Sequence, residues 1–266
     1  GAEPPALPAL TRERGRPLGV TAHSPAGRFD IDALAKKARD WPGLEGRGLA
    51  RGVTTLQSYG HDETAWAWGK GYGKSDGKGP HVVVVDYGVK RNILRLLAQQ
   101  GAKVTVVPAT ATFEDIMAKN PDGVVLSNGP GDPAATGEYS IPTIRRLIET
   151  KTPTLGICLG HQMLALAAGA KTKKMAQGHH GANHPVKDLE NGKVEIVSMN
   201  HGFTVDEATL PANVKPTFIS LFDGSNSGIR LTDAPAFSVQ HHPEASPGPQ
   251  DSFGVFRKFV DGLRAA

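Results

Sequence analysis

The chain has 266 residues, 39% of them hydrophobic, and a formal net charge of +4, enough for one large or two modest domains. No apolar run approaches the length of a membrane span and no signal peptide is visible, which sets aside a membrane-embedded class. A single Cys excludes an internal disulfide and fits a reducing cytoplasm, while the densest basic group (Lys171, Lys173, Lys174) reads as a solvated edge strand rather than a nucleic-acid patch.

In chain order, residues 1–10 are mostly Pro, Ala and Leu, and Ile31 to Trp41 reads as a short helix capped by Asp30. This part has too few apolar residues in periodic runs for a complete domain. Residues 69–80 are polar and glycine-rich, as expected of a linker. Strand and helix then alternate. His81–Asp86 is a β-branched run, and Val89–Gln100 is helical in period and stops at Gly101. Lys103–Val107 predicts a strand, Thr112 to Lys119 a short helix capped by Thr112, and Val124–Leu126 a third strand. Ile141–Glu149 predicts a helix and Pro153–Ile157 a strand running into Leu159–Ala168. Beyond Gly169 the pattern changes to short strands and turns, and a helix from about Ser252 to Leu263 closes the chain. Such βαβ alternation predicts an α/β fold with a mostly parallel open sheet and helices on both faces, with ligands at the carboxyl ends of the strands.

Cys158, within Gly156-Ile157-Cys158-Leu159-Gly160-His161-Gln162, falls where a predicted strand turns into a predicted helix. That is the geometry of a nucleophile elbow, which exposes the side chain at the bend. Gly156 and Gly160 lack the Cβ atoms that would crowd it, and the first helical turn favours a thiolate. The alternative is a buried structural cysteine. A thiolate needs a base, and Gln240-His241-His242-Pro243-Glu244 supplies one at a strand end, with Glu244 able to accept the imidazole N–H. Cys158, His242 and Glu244 then make a nucleophile–base–acid triad. Ser127-Asn128-Gly129-Pro130-Gly131-Asp132-Pro133 is by composition only a turn. The histidines His179, His180 and His184 lack the spacing of a zinc site and point to hydrogen bonding or packing.

The elbow followed by His-Pro-Glu resembles the triad-type (class I) glutamine amidotransferases. Three further stretches, Asp86 to Arg95, Gly178 to Lys187 and Ser220 to Gly224, resemble the small, glutamine-hydrolysing subunits of carbamoyl-phosphate synthases. The similarity is continuous from about Val82 to the C-terminus and weaker from Arg12 to about Trp68.

The resemblance implies a flavodoxin-like amidotransferase fold over 81–266, a linker at 69–80, and over 1–68 the remnant of a smaller N-terminal domain. It implies hydrolysis of L-glutamine, with ammonia handed to a large subunit that uses ATP, Mg and bicarbonate to make carbamoyl phosphate. It implies no cofactor or metal in this chain and no nucleic-acid or membrane partner. By the same resemblance the 127–133 loop contributes to an oxyanion hole, and Gly129, Gly131, Leu159, Gln162, Asn200, Gly202 and Phe203 bind glutamine.

Three departures stand out. His241 occupies a position where glycine often precedes the triad histidine. Residues 1–10 do not follow the family. No stretch matches the N-terminal serine that reaches the bound glutamine. An amidotransferase subunit of anthranilate or GMP type, a stand-alone γ-glutamyl hydrolase and a non-catalytic docking fragment are the alternatives.

Overall fold

A computed structural model describes residues 19–265, so the readings on residues 1–18 lie outside the described residues. Contacts divide the chain after Glu45 into two compact units. In the first, helix α1 (Ile31–Arg39) starts at Asp30, whose carboxylate accepts the Ala33 N–H at 2.9 Å, and none of its side chains is buried.

The second unit begins at Gly46 with strands β1 (Tyr59–His61), β2 (Glu63–Ala67), β3 (Gly71–Lys74) and β4 (His81–Asp86). Helix α2 (Arg91–Gln99), β5 (Lys103–Pro108), α3 (Phe113–Met117) and β6 (Gly123–Leu126) follow. Next come α4 (Pro133–Glu149), β7 (Thr154–Ile157) and α5 (Leu159–Ala167). The remainder is β8 (Lys171–Asp188), β9 (Val194–Asp206), β10 (Val214–Ser220), β11 (Asn226–Leu231), β12 (Ala236–Val239) and α6 (Gly254–Arg264).

Ten strands form one sheet in the order β1-β5-β4-β6-β7-β12-β11-β10-β8-β9. Its centre, β5-β4-β6-β7-β12, is parallel. The added flanks, β1 on one side and β11-β10-β8-β9 on the other, are antiparallel.

The valine run of β4 shows why the parallel centre is buried on both faces. Val83 and Val85 face one apolar layer with Ile116 from α3, Ile144 and Leu147 from α4, and Met163 and Leu164 from α5. Val82 and Val84 face the opposite layer with Ile93 and Leu97 from α2 and Phe256, Phe259 and Val260 from α6. The two layers clamp β6 and β7, whose C-terminal ends carry the loop after Leu126 and Cys158.

Four features differ from the sequence expectations. Gly71–Lys74, inside the expected linker, is a strand paired with β2, and Gly69 and Gly71 at φ 71° and 72° close the turn between them. Residues 59–61, expected in the N-terminal remnant, pair with β5 as an edge of the main sheet, a strand too short to show a period. Helix α4 begins at Pro133 rather than Ile141: Asp132 caps it, accepting the Ala134 N–H at 2.8 Å, and proline at the first helical position needs no N–H partner. Beyond Gly169 the strands are long, 18 residues in β8 and 13 in β9, because Gly178 and Gly181 sit at breaks in register rather than at turns.

Phe256 is fully buried under the sheet, and its neighbour Arg257 is exposed. Phe256→Ala is expected to lower unfolding stability by about 3–5 kcal/mol and Arg257→Ala by no more than about 0.5 kcal/mol, read from urea denaturation midpoints.

Candidate active site

Strand β7 ends and α5 begins with a single residue between them. That residue is Cys158, at φ 53° and ψ −101°, a backbone conformation that an L side chain rarely adopts. Its own N–H donates to Val239 O at 2.9 Å, which fixes the bend to the neighbouring β12. The turn is so tight that a Cβ on Gly160 would lie 2.0 Å from the carbonyl oxygen of Leu126, and one on Gly156 2.6 Å from that of Gly160. The sequence reading expected an exposed thiol. Cys158 is instead 4% exposed, because residues from the end of β12 close over the sulfur.

His242 and Glu244 follow β12. The His242 N–H donates to Ser198 O of β9 at 2.8 Å, and its Nδ1 is 2.7 Å from Oε1 of Glu244. Burial alone would lower the pKa of His242, yet the negative charges of Cys158 and Glu244, with hydrogen bonds to both, raise it to about 10. Glu244 is nearly fully buried, which by itself would raise its pKa. The charge of His242, its hydrogen bond and the ammonium of Lys90 outweigh burial and hold the carboxyl below its ordinary value. Lys90 Nζ stands 3.4 Å from Oε1 of Glu244, and Asn92 Nδ2 donates to the Glu244 carbonyl at 2.7 Å.

His241, one residue away, points elsewhere. It is fully buried against Phe218 at 5.5 Å between ring centroids, with neither ring nitrogen hydrogen-bonded to any described residue.

The expected glutamine-binding residues fall into two groups. Leu159 opens α5, so its N–H has no acceptor within the helix, and neither it nor the Gly129 N–H meets a backbone acceptor among the described residues. A Cβ on Gly129 would lie 2.2 Å from Tyr87 O, and one on Gly131 2.6 Å from Arg47 O, so both glycines are required by packing within the protein.

The second group lies along β9. Gln162 Nε2 donates to Phe203 O at 2.8 Å and to Gln240 Oε1 at 2.9 Å, which connects Phe203 to the cysteine region. Asn200 is exposed and pairs with His180 across the hairpin at 2.7 Å, and the Gly202 carbonyl accepts from Lys174 Nζ at 3.2 Å. His179 pairs with Asp223 at 2.9 Å and His184 stacks edgewise on Phe222. Among the described residues no group of three His, Cys, Asp or Glu is arranged to hold a metal ion.

Sequence reasoning did not single out Lys90, Asn92, Asn128 or Gln240 as site residues. Asn128 accepts the Lys90 N–H at 3.0 Å and donates to Gly88 O at 3.2 Å, so it braces the segment that carries Lys90. For two of them the signal was available: Lys90 and Asn92 lie in the Asp86–Arg95 stretch.

The model of the class-I glutamine amidotransferases matches residues 83–261, which include the whole Cys158–His242–Glu244 constellation. The carbamoyl phosphate synthase small chain of Caulobacter vibrioides is 63% identical over 266 residues, covering all of this chain and 69% of that protein. The chain belongs to this amidotransferase family, among the carbamoyl phosphate synthase small chains. The Brucella anthropi small chain is 62% identical over 99% of this chain and 65% of its own length, so this sequence spans about two thirds of such relatives.

Two solved structures share the amidotransferase fold. One, described as a GMP synthase protein from Thermoplasma acidophilum, aligns over 70% of this chain and 95% of its own, with TM-score 0.62 and 23% identity. The other, a glutamine amidotransferase from Thermotoga maritima, aligns over 70% of this chain and 90% of its own, with TM-score 0.52 and 18% identity.

Behind the family's catalytic motifs lie three histidines that burial keeps neutral. His161, His201 and His241 each have a pKa lowered to about 3, chiefly by burial and then by neighbouring histidines. An unfolded histidine titrates near 6.5, so as pH falls the unfolded chain takes up these protons first. Each then removes up to about 1.4 kcal/mol of stability per pH unit below about 6.5. His242 runs the other way: its contribution is complete below about 6.5 and is lost as pH rises toward its raised value of about 10. The urea midpoint is expected to fall between about pH 7.5 and about pH 5.5, and to fall less steeply in His241→Leu.

Proposed function

We propose that this chain is the glutaminase component of a carbamoyl phosphate synthase. Its substrate is L-glutamine, its products are glutamate and ammonia, and its nucleophile is Cys158. The observation that carries this reading is the buried Cys158 at a strained strand–helix junction beside a histidine whose pKa is raised by that cysteine and by Glu244. An imidazole held in this way keeps its proton at neutral pH and so has one to give to a leaving group.

The thiolate of Cys158 adds to the side-chain amide carbon of glutamine. Negative charge develops on the amide oxygen, and the N–H groups of Leu159 and Gly129, which lack backbone acceptors among the described residues, are its donors. His242 gives its proton to the departing ammonia, leaving a γ-glutamyl thioester. His242, now neutral, takes a proton from water as the water attacks the thioester, and glutamate leaves as the thiolate is regenerated. Glu244 keeps the imidazole oriented and compensates its charge, and Lys90 in turn keeps Glu244 ionised. Gln162, Asn200, Gly202 and Phe203 hold the amino-acid end of the substrate in this reading.

Free ammonia in neutral water becomes ammonium, which is not a nucleophile, so the product goes directly to a partner. The designation of the relatives as small chains supports a large partner chain, which uses ATP, Mg and bicarbonate to form carbamoyl phosphate. We place the pair in the cytoplasm, where a lone thiol stays reduced. Among the described residues no helix is long and apolar enough to cross a membrane. Residues 81–266 form the catalytic domain in this scheme, with 46–80 as an N-terminal extension of it.

Cys158→Ala is expected to abolish glutamate release from glutamine, and His242→Asn to lower it by about 10²–10⁴-fold. A complex of the Cys158→Ala chain with the large chain should still make carbamoyl phosphate when ammonium is supplied. Ordinary glutamate release by Cys158→Ala would remove the nucleophile assignment.

A further inference from the structure

The sulfur of Cys158 has a second polar neighbour besides His242. Gln240 is fully buried, and its Nε2 lies 3.7 Å from Cys158 Sγ, within the longer hydrogen-bond range of sulfur. The orientation of that amide follows from its partners. The Phe203 carbonyl can only accept, so the Gln162 group facing it at 2.8 Å is the NH₂. The same nitrogen lies 2.9 Å from the Gln240 side chain, which must therefore present its oxygen there. The Gln240 NH₂ is then turned to the sulfur. The reverse orientation would set two donors against each other in a buried site and leave the sulfur facing a carbonyl oxygen.

We propose that Gln240 is a positioning residue for the nucleophile, donating an N–H to the sulfur of Cys158, and that Gln162 sets its orientation from the Phe203 carbonyl. The inference rests on the reading of Cys158 as the nucleophile and extends it. His242 provides the charge opposite the sulfur, and Gln240 provides an uncharged donor from a second direction. A thiolate between two donors has one preferred rotamer. A donor to a buried anion is worth more than a donor to a neutral group, so Gln240 favours the ionised sulfur and loses most of its hold once the sulfur is acylated. The relay also joins the nucleophile to the strand that carries Asn200, Gly202 and Phe203, so displacement of Phe203 is felt at the sulfur.

Other charged groups around the sulfur are His242 and Glu244 after β12 and Lys90 before α2. His161 on α5, His201 on β9 and His241 are nearby but held neutral above about 3.

The test is the pH dependence of alkylation of Cys158, the chain's single cysteine, by iodoacetamide, in which the sulfur displaces iodide and the thiol proton passes to solvent. Gln240→Leu is expected to move the midpoint of the rate profile upward by about one pH unit and to slow alkylation several-fold at neutral pH, with the high-pH plateau retained. Gln162→Met leaves Gln240 in place but unoriented, and is expected to move the midpoint in the same direction by a smaller amount. It also serves if Gln240→Leu does not fold. Thermal melting accompanies both, because a purely structural role would lower the melting temperature and leave the midpoint unchanged. An unchanged midpoint in a folded variant overturns the proposal, and leaves the nucleophile reading intact so long as Cys158→Ala releases no glutamate. Glutamate release by Cys158→Ala would instead remove the underlying reading.

Discussion

The site depends on one backbone constraint, a junction of a single residue between β7 and α5. Cys158 must reverse the chain direction alone, and it does so in a conformation that costs about 1–3 kcal/mol. That strain persists because the surroundings over-determine it. The Cys158 N–H is bound to Val239, the Gly160 N–H to Ser127, and α5 is pressed so near β6 that position 160 tolerates no Cβ. Relaxing the bend would break both hydrogen bonds and lift α5 from the sheet.

The electrostatics of the buried pair form a second layer built on that constraint. An isolated charge at the depth of Glu244 would be strongly unfavourable, and a carboxyl there would ordinarily take up a proton. His242 and Lys90 prevent it, and Lys90 is itself set by Asn128 bonding to its backbone. The groups come from the ends of β4, β6, β7 and β12. These are the carboxyl ends of the parallel strands, where such a sheet opens a crevice.

Much of this was legible in the residues themselves. The valine run of β4, the Gly101 stop after α2 and the elbow glycines each obey a local rule that needs no tertiary information. The His-Pro-Glu register separated His242 from His241. The parts that were not legible depend on long-range packing. Pairing of Tyr59–His61 with β5 leaves no periodic trace in three residues. The need for glycine at positions 129 and 131 comes from the Tyr87 and Arg47 carbonyls, which no local pattern reveals. Gln240 reads as an ordinary polar residue at a strand end until the fold brings it across 82 residues of sequence to the sulfur. The burial of Cys158 was likewise invisible, since the residues that cover it come from the far end of the chain.

The position of β12 in the sheet bears on how the chain acquires its reactivity. This strand inserts between β7 and β11, pairing parallel with one and antiparallel with the other, although nearly all the rest of the unit precedes it in sequence. The parallel strands β4 to β7 can assemble from contacts already made as the chain is synthesised. The histidine, its carboxylate and Gln240 arrive only with the final segment. Cys158 therefore has His242, Glu244 and Gln240 beside it only where β12 is seated in the sheet.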